Sequence, residues 1–198
     1  MPIYLVCGYR GTGKDTLYKQ MIGLMDFNWS IYRSPTYRSS TTSAIFEKSP
    51  LKRIAFADAL KQEVVKTLNL PSNYDVDDNK NTVIQGKTFR QHCIDIGADA
   101  RQKDINHWCK LAFNGTNDDP IMVTDWRFPN EKKYCDTLGD IITIRVYRST
   151  VPIPPENEIS EHSLHDVQTD FLLVADDEKN TVFQRFPQYT GYLKMVEW

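Results

Sequence analysis

Ile3-Tyr4-Leu5-Val6-Cys7-Gly8-Tyr9-Arg10-Gly11-Thr12-Gly13-Lys14-Asp15-Thr16 is the stretch that decides the fold. Ile3 to Cys7 is an apolar run suited to a buried strand. Gly8 to Lys14 then fits G-x-x-x-x-G-K. From Lys14 to Met25, the residues Leu17, Met21, Ile22 and Met25 fall on one helix face. Strand, glycine loop and helix together are the context in which this pattern binds phosphate. Glycines let successive backbone N–H groups turn inward. The helix N-terminus adds partial positive charge, and Lys14 can reach the β- and γ-phosphates of a nucleotide. A dinucleotide fingerprint fits worse, because Asp15-Thr16 stands where a third glycine belongs.

Working outward, the rest of the chain alternates strands and helices. Strands are expected over 52–57, 121–124, 141–147 and 171–175. Helices are expected over 58–68 with Asp58 as cap, then 88–96 and 104–113 separated near Gly97, and over 131–138. Residues 27–50, rich in hydroxyls and carrying Arg33 and Arg38, read as a mobile loop or insertion. Residues 73–85 read as a polar loop, and 149–165 as a second mobile or lid segment. The pattern predicts an α/β fold of P-loop NTPase type: a parallel sheet of about five strands flanked by helices, in a single domain spanning 1–198.

Composition sets limits. At 198 residues the chain can bury a core without staples. It is 40% hydrophobic and 25% charged, an ordinary globular mixture rather than a disordered one. With 24 basic and 26 acidic residues its net charge is −2, which argues against a nucleic-acid coat protein. No apolar run approaches the ~18 residues of a membrane span. The N-terminus has no basic leader, so the domain is expected to begin with the chain, in the cytoplasm. Cys7, Cys93, Cys109 and Cys135 form no CxxC pair and are expected to be reduced, mostly core thiols. His107-x-Cys109 and His162-x-x-His165 lack the further ligands of a zinc site.

Three kinds of phosphate-loop protein compete. A GTPase would carry NKxD, which is missing, and Asp136-Thr137-Leu138-Gly139 precedes a strand instead of following one. A mechanochemical ATPase usually has an acidic residue beside its magnesium Asp, whereas Asp125 is followed by Trp126 and Arg127. A small-molecule kinase with an anionic acceptor needs cations that hold two sets of phosphates in line. Asp125-Trp126-Arg127-Phe128-Pro129-Asn130-Glu131 suits it. The segment ends a strand, where open α/β sheets bind ligands, and Arg127 can fork onto a phosphate. The residue after Lys14, usually Ser or Thr, is here Asp15, which can ligate magnesium directly or through water. Thr16 follows it.

Several stretches, in order, resemble the deoxynucleoside monophosphate kinases of phage and viral type. They are Gly13-Lys14-Asp15-Thr16, Phe56-Ala57-Asp58-Ala59-Leu60-Lys61, Thr88-Phe89-Arg90, Ile96-Gly97-Ala98-Asp99, Trp108-Cys109-Lys110-Leu111, Asp125-x-Arg127-Phe128-x-Asn130-Glu131, and Ser160-Glu161 followed by Leu164. The resemblance implies transfer of a phosphoryl group from ATP to a deoxynucleoside 5′-monophosphate, giving the diphosphate. Gly8, Arg10, Gly11, Thr12, Gly13, Lys14, Asp15 and Thr16 would hold the donor nucleotide, with Mg2+ near Asp15 and Thr16. Arg10, Arg90, Gly97, Ala98, Trp108, Asp125, Arg127 and Glu131 would contact the acceptor. Of these, Arg90 and Arg127 suit the monophosphate and Trp108 the base. Arg148 stands where a lid arginine is expected, and Arg145 is a candidate to close with it over the transition state. The partners implied are small nucleotides and a second copy of the chain in a homodimer, with no nucleic acid and no membrane. Departures fall at Trp126, Glu158 and residues 27–50, positions that bear on base and sugar selectivity. Kinases of other phosphorylated acceptors, such as phosphomevalonate, share the GKD loop. An ATP-binding regulatory module without transfer activity is the remaining alternative.

Overall fold

The computed structural model describes residues 2–25, 29–37, 51–116, 119–175 and 179–195. In chain order the elements are β1 (Pro2–Cys7), α1 (Lys14–Met21), β2 (Ser30–Arg33), β3 (Lys52–Ile54), α2 (Phe56–Thr67), β4 (Val83–Ile84), β5 (Lys87–Thr88), α3 (Phe89–Lys103), α4 (His107–Phe113), β6 (Ile121–Val123), α5 (Pro129–Cys135), β7 (Asp140–Tyr147), α6 (Ile159–His162), β8 (Phe171–Val174), α7 (Lys179–Arg185), a 3-10 turn (Pro187–Tyr189) and β9 (Leu193–Lys194). The fold is α/β, with a seven-stranded sheet in the order β3-β6-β1-β7-β8-β2-β9. Strand β1 pairs in parallel with β6 and β7, and β7 with β8. Strands β2 and β9 extend the sheet antiparallel beyond β8.

Period-two alternation sorts the sheet's side chains onto two cores. Val6, Met122, Ile144, Val146, Phe171 and Leu173 pack with Leu17 and Met21 of α1. Tyr147, Leu172 and Val174 point the other way and pack with Val182, Phe186, Tyr189 and Tyr192 near the C-terminus. A sheet covered on both faces needs strands that are apolar throughout, which is why its central strands read as continuous hydrophobic runs.

The chain divides into two compact units, Met1–Arg53 with Asn117–Trp198, and Ile54–Thr116. The second holds α2, α3, α4 and the β4–β5 hairpin. Its core gathers Val64, Leu68 and Phe89, with Leu60, Cys93 and Ile96 against them.

Several expectations need correction. Part of the segment read as a loop over 27–50 is strand β2, whose Ile31 and Tyr32 are buried on opposite faces. Residues 27, 28 and 38–50 of that reading lie outside the described residues. The strand expected over 52–57 ends at Ile54, and α2 starts at Phe56, so Asp58 sits in the first turn instead of capping it. Helix α3 runs through Gly97 to Lys103 and stops at Asp104. Gly97 is buried there, and an added Cβ would lie 3.3 Å from Leu60 Cδ2, so the missing side chain serves the packing of α3 on α2. Val83 to Thr88 forms a hairpin where the end of a polar loop was expected. The four cysteines form no disulfide, and Cys7, Cys109 and Cys135 are buried. Among the described residues no helix is long and apolar enough to cross a membrane.

Candidate functional site

Strand β1 runs through the middle of the sheet, and its end delivers the chain into the glycine loop. Gly8, Gly11 and Gly13 have φ of +143°, +88° and +101°, a region that side chains disfavour. Gly8 is the tightest of the three. A Cβ there would run into the backbone oxygen of Val146 in β7 and lie 2.8 Å from Thr12 Oγ1. Thr12 closes the loop from within, donating through Oγ1 to Tyr9 O at 2.9 Å. Lys14 opens α1 and is only 9% exposed. Its Nζ curls back over the loop and donates to Gly8 O at 2.8 Å and Tyr9 O at 2.9 Å. No side chain caps the start of α1.

The parallel register places the ends of β6 and β7 on either side of this loop, since Leu5 pairs with Val123 and Cys7 with Arg145. After β6, Trp126 N donates to Val6 O at 3.1 Å, which carries the turn back along β1. Glu131 Oε2 accepts from Arg127 N at 2.7 Å and Phe128 N at 2.9 Å, fixing the start of α5. The Arg127 guanidinium is then free of the helix. It forms an ion pair with Glu161 of α6, Nη1 to Oε1 at 2.5 Å. The other carboxylate oxygen of Glu161 accepts from Arg10 N in the glycine loop at 2.9 Å. One carboxylate thus bridges the loop and the strand-end arginine.

The electrostatics follow from this crowding. Burial, with Arg127 beside it, presses the Lys14 ammonium down to about 8, against the opposing pull of Glu161 and Asp125. Burial raises the Glu161 carboxyl, but Arg127, the Arg10 N–H and Lys14 outweigh that and hold it below its usual range. Beyond β7, the Arg148 guanidinium lies 5.8 Å from the Trp29 ring, and its Nε is buried without a hydrogen-bond partner. Trp29 also lies 3.0 Å from where a Cβ on Gly13 would stand. Asp15 pairs with Arg53 through Oδ1 at 2.9 Å and remains 66% exposed.

The first unit therefore holds Gly8, Arg10, Gly11, Thr12, Gly13, Lys14, Asp15, Thr16, Asp125, Arg127, Glu131 and Arg148. Arg127 and Asp125 both lie close enough to act on the Lys14 ammonium. Glu131 is spent on capping. Arg145 is not a lid group. It is 3% exposed, and its guanidinium donates to Leu164 O, Val167 O and the Tyr189 hydroxyl. Arg90, Gly97, Ala98 and Trp108 belong to the second unit. Arg90 and Ala98 are exposed on α3. Trp108 is 5% exposed and donates its indole N–H to Gly97 O at 3.2 Å, so the ring is core and offers no open face for a base.

Sequence reasoning assigned no role to three residues at this site. Glu161 entered only as part of a resemblance. Trp29 fell inside the supposed loop. His165, whose Nδ1 is hydrogen-bonded with the Tyr9 hydroxyl at 2.9 Å, was set aside with the zinc pattern. None of these has a local spacing signal, because each meets its partner only through the sheet order. No family model matches the chain, and neither does any curated protein.

Proposed function

We propose that the chain is a P-loop kinase, similar in fold to nucleoside monophosphate kinases, that transfers a phosphoryl group from ATP to a deoxynucleoside 5′-monophosphate. The observation that carries this reading is the meeting of Lys14 and Arg127 beside a glycine loop at the carboxyl ends of parallel strands. In this reading the loop amides and Lys14 hold the donor's β- and γ-phosphates. Lys14 leaves its carbonyl partners for the phosphate oxygens. Arg127 holds the acceptor phosphate in line, and Arg148, with a buried nitrogen lacking a partner, turns onto the transferring group. The acceptor is already an anion near neutral pH, so no general base is required.

Magnesium fits as a metal that arrives with the nucleotide. Among the described residues no three His, Cys, Asp or Glu side chains gather to hold a cation. Magnesium keeps several waters and needs one or two protein oxygens beside the phosphates. Asp15 and Thr16 could supply them, and the exposed Asp15 carboxylate engages Arg53 through one oxygen. When bound, the metal neutralises charge on the donor phosphates.

Acceptor contacts from Arg90, Gly97 and Ala98 rest on the family resemblance alone. The burial of Trp108 weighs against its stacking on a base and is the observation that favours a second acceptor class, a phosphorylated molecule without a base, such as phosphomevalonate. ADP release with Mg·ATP, measured against deoxy- and ribonucleoside monophosphates and phosphomevalonate, tests the proposal. Release that depends on a deoxynucleotide supports it. Release with phosphomevalonate alone moves the chain to the second class. Tight ATP binding with no acceptor dependence leaves a module that binds but does not transfer.

A further inference from the structure

Glu161 is buried among cations that the proposed function assigns to phosphates. Its side chain is 7% exposed. Each carboxylate oxygen takes a different donor, the Arg127 guanidinium on one side and the Arg10 amide on the other. A guanidinium N–H and a loop amide N–H are also the donor types that bind phosphate oxygens. A phosphate seated on these donors would meet the carboxylate as a like charge in a desolvated place, and the two cannot share it.

The segment that delivers Glu161 is held more firmly downstream than upstream. Downstream it is anchored: Leu164 is buried, and Arg145 holds Leu164 O and Val167 O. Upstream, Ile153 is 55% and Ile159 72% exposed. Among the described residues, that side is tied to the rest of the chain by an ion pair of Glu158 with Arg10 at 4.0 Å and a hydrogen bond from Arg185 to Val151 O at 3.2 Å. Helix α6 itself is a single short turn.

We propose that Glu161 is a resident anion that closes the phosphate site, and that a ligand phosphate binds by displacing it from Arg127 and the Arg10 amide. The inference rests on the reading of this site as a phosphate site. The closed contact lowers apparent affinity by the fraction of molecules that are open. If about nine molecules in ten are closed, removing the charge tightens phosphate binding about tenfold.

Calorimetric titration with inorganic phosphate and with a deoxynucleoside monophosphate, on the wild-type protein, Glu161→Gln and Arg127→Ala, tests this. Glu161→Gln is expected to bind both ligands about tenfold more tightly, and Arg127→Ala to lose them. Hydrogen exchange on the wild-type protein gives a readout that does not depend on the folding of any variant. With saturating phosphate, amides of 158–163 are expected to exchange faster while those of the glycine loop slow. Equal or weaker binding by a folded Glu161→Gln, or unchanged exchange at 158–163 in a phosphate-bound wild type, overturns the displacement and leaves the phosphate site standing. No binding of either ligand by wild type or Glu161→Gln overturns both.

Discussion

Lys14 carries a charge in a place that disfavours it, and the cost depends on pH. Its amine titrates near 10.5 in the unfolded chain and near 8 in the folded protein. Between those values the unfolded chain binds more protons, so stability from this group rises with pH from about 8 to 10.5 and is lowest below 8. Thermal unfolding at stepped pH should show this rise, and Lys14→Met should flatten it. Phosphate binding should run the other way. Under the proposed function a bound phosphate needs the ammonium, so affinity should fall as pH passes about 8, by up to about tenfold per unit. A flat binding profile over pH 7–10 would remove Lys14 from the phosphate contacts. The glycines differ among themselves at the same scale. A Cβ on Gly8 meets the backbone of Val146, whereas one on Gly11 comes no closer than 3.8 Å, to Val151 Cγ2. Gly11→Ala should cost about 1–2 kcal/mol, the price of left-handed backbone alone. Gly8→Ala adds a collision with a strand that cannot yield, and should cost roughly 3 kcal/mol or more in urea unfolding.

Helix α5 shows how one element aims the side chain of a candidate site residue. Pro129 opens it, and Glu131 reaches back to the N–H groups of Arg127 and Phe128. These bonds fix the backbone from which the Arg127 guanidinium projects. Glu131→Ala should therefore lose about 1–2 kcal/mol of stability. It should also weaken phosphate binding without removing any group that touches phosphate, and Glu131→Gln should restore most of the stability. If Glu131→Ala leaves phosphate affinity unchanged, α5 does not set the position of Arg127. Elements also differ in how legible they were. The five strands read from sequence are all present, and the central ones were legible because a strand buried on both faces is a plain apolar run. By contrast, β3 at the sheet edge is Lys52-Arg53-Ile54 with Lys52 exposed, and it ends three residues early. Strand β2 was hidden among hydroxyls and arginines, and β9 is only two residues long. Thr88 was legible as a boundary, and it caps α3 by accepting from Gln91 N at 3.1 Å. Gly97 misled, because a glycine that lets helices approach and one that ends a helix look alike in sequence.

At the scale of the molecule, what sequence could not supply was partnership across distance. The glycine loop was legible because its parts are adjacent. Glu161 with Arg127, and Arg145 with the C-terminal residues, were not, since only the strand order joins them. Arg145 is the sharper case, because position alone made it look like a companion of Arg148. Its guanidinium instead ties β7 to the carbonyls of Leu164 and Val167 and to Tyr189, and lies 4.9 Å from the Phe186 ring centroid. Tyr189 extends the tie, donating to Val167 O at 3.0 Å and meeting Thr169 Oγ1 at 3.1 Å. Arg145→Met keeps the apolar stem but removes the charged donor from the carbonyls of Leu164 and Val167 and from the Tyr189 hydroxyl, while Val167 N and the Tyr189 hydroxyl still donate to those two carbonyls. That should cost roughly 2–5 kcal/mol, since a hydrogen bond to a charged group contributes about 1.5–3 kcal/mol. A structural tie and a lid arginine then predict different kinetics. At a temperature where Arg145→Met remains folded, the structural role leaves the acceptor-dependent ADP release expected under the proposed function within about tenfold of wild type. A group acting on transition-state charge would cost about 10³-fold or more. Arg148→Met gives the complementary result, with little lost stability and a large loss of turnover. The two variants measured side by side therefore assign the adjacent arginines to scaffold and chemistry, and a reversed pattern would exchange their roles.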